Sequence, residues 1–350
     1  MNTNQVAYGG KDIESIEYVR KYAPRIYSAQ NRAVTSSDYE SIIPQIYSEI
    51  ESISVFGGEE LSPPKFGKVY ISIKPVNGQF IPNSIKDNIK KELRKYSVAG
   101  IIPEILDLKY LYIEYDSTIY YNSNLARSSS EIVDQVSTNI VAYSKSSELN
   151  SYGSRFKYSK FLKVLDDSNS AITSNITKIS LRRDLRVTLN KYVSYEICYG
   201  NEFYRNCVDG FNIKSSGFEV SGIVGTLYLT DIPNSDGKTG RLILFKLDNS
   251  QNNYTVVRKN AGTVDYVKGE IKISPINIIK TSKKSSIDSI IELSISPKSN
   301  DVVGLQDLYL QLDVNNSKLN IVQDLIASGN DISGTNYIPT SSYSNDSLTR

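Results

Sequence analysis

The sequence predicts an α+β fold, with two small α+β units followed by an antiparallel β domain and a polar C-terminal tail. Up to residue 191, segments with helical apolar spacing are interleaved with segments that alternate apolar and polar residues. From residue 192 the pattern changes to short strands separated by turn residues. We therefore divide the 350-residue chain into an N-terminal helical segment (1–34), a first α+β unit (35–121), a second α+β unit (122–191), an antiparallel β domain (192–327) and a polar tail (328–350).

The N-terminal segment carries a helical pattern over residues 12–27, which we expect to break near Pro24 because proline disrupts a helix interior. The polar run Gln30-Asn31-Arg32 follows it. Helix formation does not require these three residues. We expect their side chains to hold the segment onto the first α+β unit through hydrogen bonds to backbone groups.

A short capped helix is predicted at the start of the first unit. Thr35 is a favourable N-cap residue, and Asp38 stands three positions later, as in a capping box. The residue before a proline avoids the α region, so we expect Pro44 to end this helix, which then covers residues 35–43.

The remaining first unit is predicted as two strands, a helix and a long strand. The strands are "EIESISVF" and "GKVYISIKP", joined by "GGEELSPPKF". The helix "NSIKDNIKKELRKY" has Ile85, Ile89 and Leu93 on one stripe, and Ser84 and Asp87 repeat the capping-box spacing. The long strand is "ILDLKYLYIEYDSTIYY".

The second unit is predicted as two helices and a strand. The helices are "SSSEIVDQVSTNIVAYS" and "RFKYSKFLKVL", and the strand is "AITSNITKISLRRDLRV". In that strand, Arg182, Asp184 and Arg186 share a face with Ser180. We interpret this face as a solvated strand face or a protein interface, since no basic stripe continues elsewhere to suit nucleic acid.

The β domain contains two predicted hairpins and a further strand. One hairpin turns at Asp236-Gly237 and the other at Lys268-Gly269. The segment "IIELSISP" is the further strand. The tail "SGNDISGTNYIPTSSYSNDSLTR" is too polar to fold alone, so we expect it to be disordered or to lie on a neighbour.

The composition excludes several kinds of chemistry. The chain has no histidine, which excludes Ser-His-Asp and Cys-His catalysis. Cys198 and Cys207 lack Cys-x-x-Cys spacing, so we interpret them as free thiols. A net charge of +2 is too mild to indicate nucleic-acid binding. The N-terminus lacks an apolar signal core and no window of membrane-spanning length is apolar, so we expect neither export by a signal peptide nor a membrane span.

Three local patterns could carry chemistry, and each has a simpler interpretation. Gly237-Lys238-Thr239 resembles part of a phosphate loop, but the position that should hold its first glycine is Ile232 and a strand follows, so a hairpin tip is favoured. Glu59 and Glu60 follow a glycine pair, and Asp166-Asp167 flank a turn. We interpret both carboxylate pairs as solvated, and we predict no catalytic, cofactor-binding or metal-binding residues and no enzyme activity.

Several short motifs occur in a fixed order over residues 9–315. They are Ala23-Pro24, Gln30-Asn31-Arg32-Ala33-Val34-Thr35, Asp38-Tyr39, Gly57-Gly58-Glu59, Pro63-Pro64, Gly67-Lys68-Val69, Lys74-Pro75, "GTVDYVKGEIKI" and "SISPKSNDV". Together they resemble the baseplate wedge protein family of T-even-type contractile-tailed phages, in its C-terminal half. The sequence is more distantly similar to the baseplate J-like family.

The resemblance implies a structural subunit of the virion that is assembled in the host cytoplasm. It implies self-association through the C-terminal half into dimers, and assembly with other wedge proteins into a ring of about twelve copies. In that family the ring changes shape when the tail sheath contracts. Family members usually carry a long region ahead of Gly9-Gly10, so we expect this chain to be a C-terminal portion or a shortened version. No cofactor, nucleic acid or membrane partner is implied.

Two other functions are open from the sequence. The Tyr- and Asn-rich β domain could belong to a receptor-binding or glycan-binding tail protein. A carboxylate-based glycosidase is a third possibility, in which Glu59 or Glu60 would be required for lysis of the cell wall.

Overall fold

The computed structural model describes residues 16–325, apart from 62, 79, 126–127, 147, 206–210, 249–252 and 286–287, together with 343–344 and 347–348. The chain forms two compact units. The first comprises the chain up to Lys109 with Asn150–Gly153 and Gln306–Tyr309. The second comprises Tyr110–Leu149, Ser154–Leu305 and the chain from Leu310. Within the described residues, no helix combines the length and the apolar character needed to cross a membrane.

The first unit packs two helices, α2 and α3, against a three-stranded sheet, and a further helix, α1, contacts α2. Its elements are α1 (Ile16–Ala29), α2 (Ser36–Ile46), β1 (Ile50–Gly57), β2 (Lys68–Pro75), α3 (Asn83–Leu93) and β3 (Ile102–Leu106). The strand order is β1-β2-β3, with β1 antiparallel and β3 parallel to β2. The core joins one face of this sheet to α2 and α3 through buried apolar side chains, among them Tyr39, Ile43, Ile71, Ile89 and Leu93.

The second unit begins with β4 (Lys109–Tyr121), which starts at the boundary between the units. It continues with α4 (Ser129–Ser144), β5 (Arg155–Phe156), α5 (Tyr158–Asp166), β6 (Ile172–Arg186), β7 (Tyr192–Cys198), β8 (Lys214–Ser215), β9 (Phe218–Val220), β10 (Tyr228–Pro233), β11 (Thr239–Leu247), β12 (Tyr254–Asp265), β13 (Glu270–Thr281), β14 (Lys283–Ser285), β15 (Asp288–Ile295), β16 (Val302–Val303), β17 (Leu308–Leu312) and β18 (Lys318–Gln323).

Two large sheets share one hydrophobic core in the second unit. The strand order β14-β15-β6-β4-β17 defines the first sheet, with β18 parallel to β4 and β8 beside β15. The order β10-β11-β12-β13-β7 defines the second, with β9 beside β13. A continuous set of buried residues, from Leu111 through Ile140 and Phe161 to Leu242 and Leu312, connects both sheets with α4 and α5.

This arrangement corrects the strand assignments behind the predicted divisions at 121 and 191. The predicted long strand ending at Tyr121 is two strands, β3 and β4, because β3 pairs with β2 while β4 pairs with β6. In the predicted β domain, β15 also pairs with β6 instead of completing a separate sheet. Residues on both sides of position 191 therefore share one sheet and one core.

Two predicted helix boundaries are also wrong. Pro44 lies inside α2, which continues to Ile46, and Pro44 is buried with Ile42 and Ile43. Core burial thus outweighs the local preference against the α region before a proline. α1 likewise runs through Pro24 to Ala29.

The predicted capping box of α3 does not form. α3 begins at Asn83 after Pro82, which has no capping side chain. Ser84 therefore lies inside the first turn and cannot act as its N-cap.

The two predicted hairpins are confirmed. β10 and β11 pair around Gly237, and β12 and β13 pair around Gly269. Both glycines adopt positive φ angles, +68° and +69°, that favour glycine. Most of the predicted polar tail lies outside the described residues. In the described part of the tail, β19 (Tyr343–Ser344) pairs antiparallel with β20 (Ser347–Leu348).

Candidate functional site

The polar run Gln30-Asn31-Arg32 forms the turn after α1. Gln30 and Asn31 have positive φ angles of 46° and 57°, a conformation that commonly ends helices. The exposed Arg32 side chain bonds to the Gln30 side chain at 3.4 Å, so the expected bonds to the backbone of the first unit are wrong. Ala33 makes that attachment instead, because it is fully buried and its N–H donates to the Tyr96 carbonyl at 2.8 Å.

The predicted capping box at Thr35 and Asp38 is confirmed. The Asp38 carboxylate accepts hydrogen bonds from the Thr35 and Val34 N–H groups at 2.8 and 3.1 Å. The Asp38 N–H donates to Thr35 Oγ1 at 3.3 Å. Partial burial favours a higher pKa for Asp38, but these hydrogen bonds outweigh it and lower the pKa. This acidic group is therefore used to begin α2.

The other candidate motifs lie at turns and helix ends. Glu59 and Glu60 are exposed, and Glu60 accepts a hydrogen bond from the Gly57 N–H at 3.3 Å. Asp166 and Asp167 are exposed at the end of α5. No set of three or more metal-ligating side chains comes together in the described part of the chain.

The Gly237-Lys238-Thr239 stretch is the tip of the β10–β11 hairpin, as predicted. Asp236 accepts hydrogen bonds from the backbone N–H groups of Lys238 and Thr239, both at 2.9 Å, and from the Thr239 hydroxyl at 2.5 Å. These bonds, led by the one from the hydroxyl, lower the pKa of Asp236. The backbone amides at this tip therefore bind a carboxylate of the chain itself.

The arginine-rich face of β6 differs most from its predicted form. Arg182 is 6% exposed, and its guanidinium donates to carboxylates on β4, on β6 and directly after β17. The bonds are 2.6 Å to Glu114, 3.1 Å to Asp184 and 2.8 Å to Asp313. The guanidinium also lies 4.5 Å from the centroid of the Tyr112 ring. We call these five residues the Arg182 cluster.

Three carboxyl groups surround this one guanidinium, and burial affects the pKa of two of them. Burial raises the pKa of Glu114 and of Asp184, although Arg182 favours their ionised forms. Nearby carboxylates, including Asp313 and Glu292, add to the increase. Burial also raises the pKa of Tyr112 to about 12. The prediction of a solvated face or an interface is therefore wrong for Arg182, which holds three strand regions together from the inside.

A second buried polar pair supports the hairpin sheet. Asp231 is 1% exposed, and it accepts hydrogen bonds from the Tyr266 hydroxyl at 2.6 Å and the Ile213 N–H at 2.7 Å. Burial raises the pKa of Asp231 despite these bonds. Burial and the neighbouring carboxylate together raise the pKa of Tyr266 above its ordinary range. The pair is a structural connection between β10 and the β12–β13 turn.

The thiol and the grooves show no catalytic arrangement within the described residues. Cys198 is half-buried at the end of β7, and Cys207 lies outside the described residues. An open groove of about 550 Å³ lies between α4 and α5, where Lys160 and Glu148 form an ion pair. A polar groove of about 370 Å³ lies at the β10–β13 turns and includes Asn234 and Asp265 in its lining.

Exposed apolar side chains mark surfaces that could bind other proteins. On the first unit they include Tyr27, Val34, Phe66, Val98 and Ile102. Single exposed apolar residues are ordinary, whereas groups of them indicate interaction sites. The first unit therefore presents apolar side chains that a binding partner could cover.

Comparison with known families agrees with this geometry. Residues 35–106 match C-terminal domain I of baseplate structural protein gp6, and residues 109–184 match its C-terminal domain III. The first match covers α2 through β3, and the second covers β4 through most of β6. The two matched segments are separated by the residues between β3 and β4, where the chain leaves the first sheet.

A curated relative points to the same protein. Baseplate wedge protein gp6 of Enterobacteria phage T4 is 27% identical over 182 residues, which are 51% of this chain and 27% of the relative. The aligned part thus spans about a quarter of the relative's length. Over residues 35–184, the chain is therefore similar to the C-terminal region of the gp6 baseplate structural proteins.

Proposed function

We propose that this chain is a structural subunit of a contractile phage tail baseplate. It resides in the virion, associates with itself and joins other wedge proteins into the baseplate ring. The observation that carries the proposal is the consecutive match of residues 35–106 and 109–184 to two C-terminal domains of one baseplate protein. Motion of the ring on sheath contraction belongs to the same proposal.

The physical character of the chain supports a structural role. The charged residues of the Arg182 cluster are bonded to one another across β4, β6 and the end of β17. The exposed apolar side chains lie on the surface instead of lining an enclosed cavity. A subunit that must remain joined to its neighbours needs interfaces of roughly 1,600 Å² in total.

The location can be tested in the phage that encodes the chain. Antibodies against the purified chain should label the distal end of the tail in immunogold electron microscopy. Deleting the gene should yield heads without complete tails. Infectious contractile-tailed particles that lack the chain would refute the proposal.

Self-association can be tested separately with the purified chain. Light scattering after size exclusion should give a mass of at least twice 39.1 kDa at micromolar concentration. A strict monomer at high concentration would contradict self-association by this portion. The particle experiment would still decide whether the chain belongs to the baseplate.

The polar groove at the β10–β13 turns favours glycan binding as a second candidate function. Its lining includes amide, hydroxyl and charged side chains, which are suitable partners for sugar hydroxyls. A glycan array should use the whole chain, because β15 of the predicted β domain is paired with β6. Saturable binding that Asn234→Ala abolishes would support this function over a purely structural one.

A further inference from the structure

An apolar patch on the first unit surrounds the turn that leads into β3. We define this patch as Val34, Phe66, Val98 and Ile102, which are 56%, 80%, 42% and 59% exposed. Removing apolar surface from water is favourable by about 25 cal/mol for each Å² buried, so covering these side chains would stabilise a complex. The four side chains belong to residues whose backbone segments lie side by side, and together they form a surface suited to binding.

Backbone contacts bring the four residues together. Ala33 and Ser97 form a parallel bridge, so the residues that follow them, Val34 and Val98, are neighbours. The Ile101 N–H donates to the Val98 carbonyl, which closes the turn before β3. On the other side, the Ile102 N–H donates to the Gly67 carbonyl at 2.9 Å, which places Phe66 beside the start of β3.

Two cations adjoin the patch. Arg32 and Lys65 stand two and one positions before Val34 and Phe66 in the chain, and neither forms an ion pair within the described residues. Lys68 is paired with Glu104 at 2.5 Å. The hydrogen bond from Lys68, together with the charges of Lys65 and Lys90, lowers the pKa of Glu104. The carboxylates of Asp38 and Glu104 thus already have partners, whereas Arg32 and Lys65 are paired with no carboxylate in the described part of the chain.

We propose that this patch is a docking surface for a different protein, through a segment that carries apolar side chains flanked by carboxylates. The apolar residues of the segment would cover Phe66 and Ile102. Its carboxylates would pair with Arg32 and Lys65. The inference rests on the proposed structural role and adds the chemistry of one partner surface to it.

Charge disfavours a second copy at the same place. In a two-fold contact, this surface faces the same surface of the other copy, so Arg32 and Lys65 would approach cations. The acidic groups Asp38 and Glu104 also lie beside the patch and would repel a continuous anionic lipid surface. A protein segment can place its charges between these groups.

The free edge of β3 shows how the partner would bind. Ile102 directs its N–H towards β2, so the next residue, Pro103, occupies a position whose N–H would point outwards. Proline has no N–H, which weakens strand addition at this edge. Recognition therefore depends on side chains more than on a shared backbone ladder.

The test is a titration of the whole chain with short fluorescein-labelled peptides, followed by fluorescence anisotropy at low ionic strength. The probe alternates Glu with Leu and Phe. One comparison peptide has Lys in place of Glu, and another has Ser in place of the apolar residues. We expect saturable binding of the probe, and at least about tenfold weaker binding of both comparison peptides.

Variants locate the binding surface. Phe66→Ser with Ile102→Ser should weaken probe binding about tenfold, as for central apolar anchors. Lys65→Glu should weaken binding most at low salt, because salt screens exposed charges. Val224→Ser is the matched control, since Val224 is 89% exposed on the second unit. Unchanged thermal transitions would show that the variants remain folded.

Several outcomes would overturn the proposal. They are equal binding of the Lys peptide, unchanged binding by the Phe66 and Ile102 variant, and binding to phosphatidylglycerol vesicles without binding to the probe. A loss of self-association in the same variant would instead assign the patch to a second copy. The presence of the chain in the phage tail is measured by a separate experiment. A negative result in the peptide titration therefore does not decide the proposed structural function.

Discussion

Replacing Arg182 by methionine should destabilise the second unit strongly. Methionine keeps much of the aliphatic volume but removes the group that donates to Glu114, Asp184 and Asp313. The side chains of these carboxylates are only 16%, 24% and 11% exposed, so water cannot fully replace the lost donors. Breaking a buried ion pair by removing one partner costs about 3–5 kcal/mol.

The size of this effect is not the sum of three bonds. Each hydrogen bond to a charged group contributes about 1.5–3 kcal/mol, but the three share one donor and are not independent. Protonation of a carboxyl in the folded variant relieves part of the repulsion. We therefore expect a loss of about 3–5 kcal/mol in the free energy of unfolding at pH 8, measured by urea titration with circular dichroism.

The pH dependence provides a sharper measurement. Burial already raises the pKa of Glu114 and Asp184 with Arg182 present, and removing a cation raises both further. A carboxyl with a raised pKa in the folded state binds its proton more tightly than in the unfolded state. The resulting penalty is absent below the unfolded pKa and grows as pH rises through the folded pKa. The variant should therefore lose less stability at pH 5 than at pH 8.

Arg241→Met is the matched control for this substitution. Arg241 is exposed on β11, so its replacement should change the free energy of unfolding by less than about 0.5 kcal/mol. The reasoning is refuted if Arg182→Met lies within about 1 kcal/mol of the unaltered chain at pH 8. A deficit that is equal at pH 5 and pH 8 would contradict the electrostatic explanation.

Three further substitutions test other parts of the fold. Thr35→Ala should lower the free energy of unfolding by about 1 kcal/mol, because it removes the cap of α2. Acidification through the lowered pKa of Asp38 should remove the stabilisation that its carboxylate provides. Urea titrations at pH 7 and pH 3 measure both effects. Tyr266→Phe should cost about 1–3 kcal/mol in a thermal melt, because Asp231 stays buried and loses a donor, and an unchanged melting temperature would contradict this. Gly269→Ala should lower the free energy of unfolding by more than about 1 kcal/mol, because φ of Gly269 is +69° and a methyl group would overlap the Asn201 carbonyl. Equal rates of hydrogen exchange at the β12–β13 turn in the variant and the unaltered chain would contradict this.

Local sequence patterns predicted local structure well. The capping box at Thr35 and Asp38 and the turns at Gly237 and Gly269 depend on residues within a few positions of one another. Pro44 shows the limit of such rules, because its place inside α2 depends on burial in the core. The sequence alone does not show which distant strands will cover that helix.

Long-range pairing explains what the sequence could not reveal. Strand alternation correctly placed Arg182 and Asp184 on one face of β6. It could not place Glu114 and Asp313 opposite them, since these lie 68 and 131 residues away along the chain. The pairing of β15 with β6 depends on similar distances and joins residues on both sides of position 191 in one sheet. The abundance of Arg next to an Asp in "LRRDLR" was the available signal for a buried ion cluster.

The pairing of β18 with β4 has a consequence for synthesis of the chain on the ribosome. β4 is paired with β18 at residues 116–121 and 318–323, and Ser317 accepts a hydrogen bond from the Tyr115 N–H across 202 positions. At about 5–20 residues per second, translation needs roughly 10–40 s to produce that partner after β4 has been made. During this interval the nascent chain exposes one edge of β4 to other growing chains on the same messenger RNA. Synthesis of β18, and not of the matched segments, therefore sets the moment at which this edge of β4 can be covered.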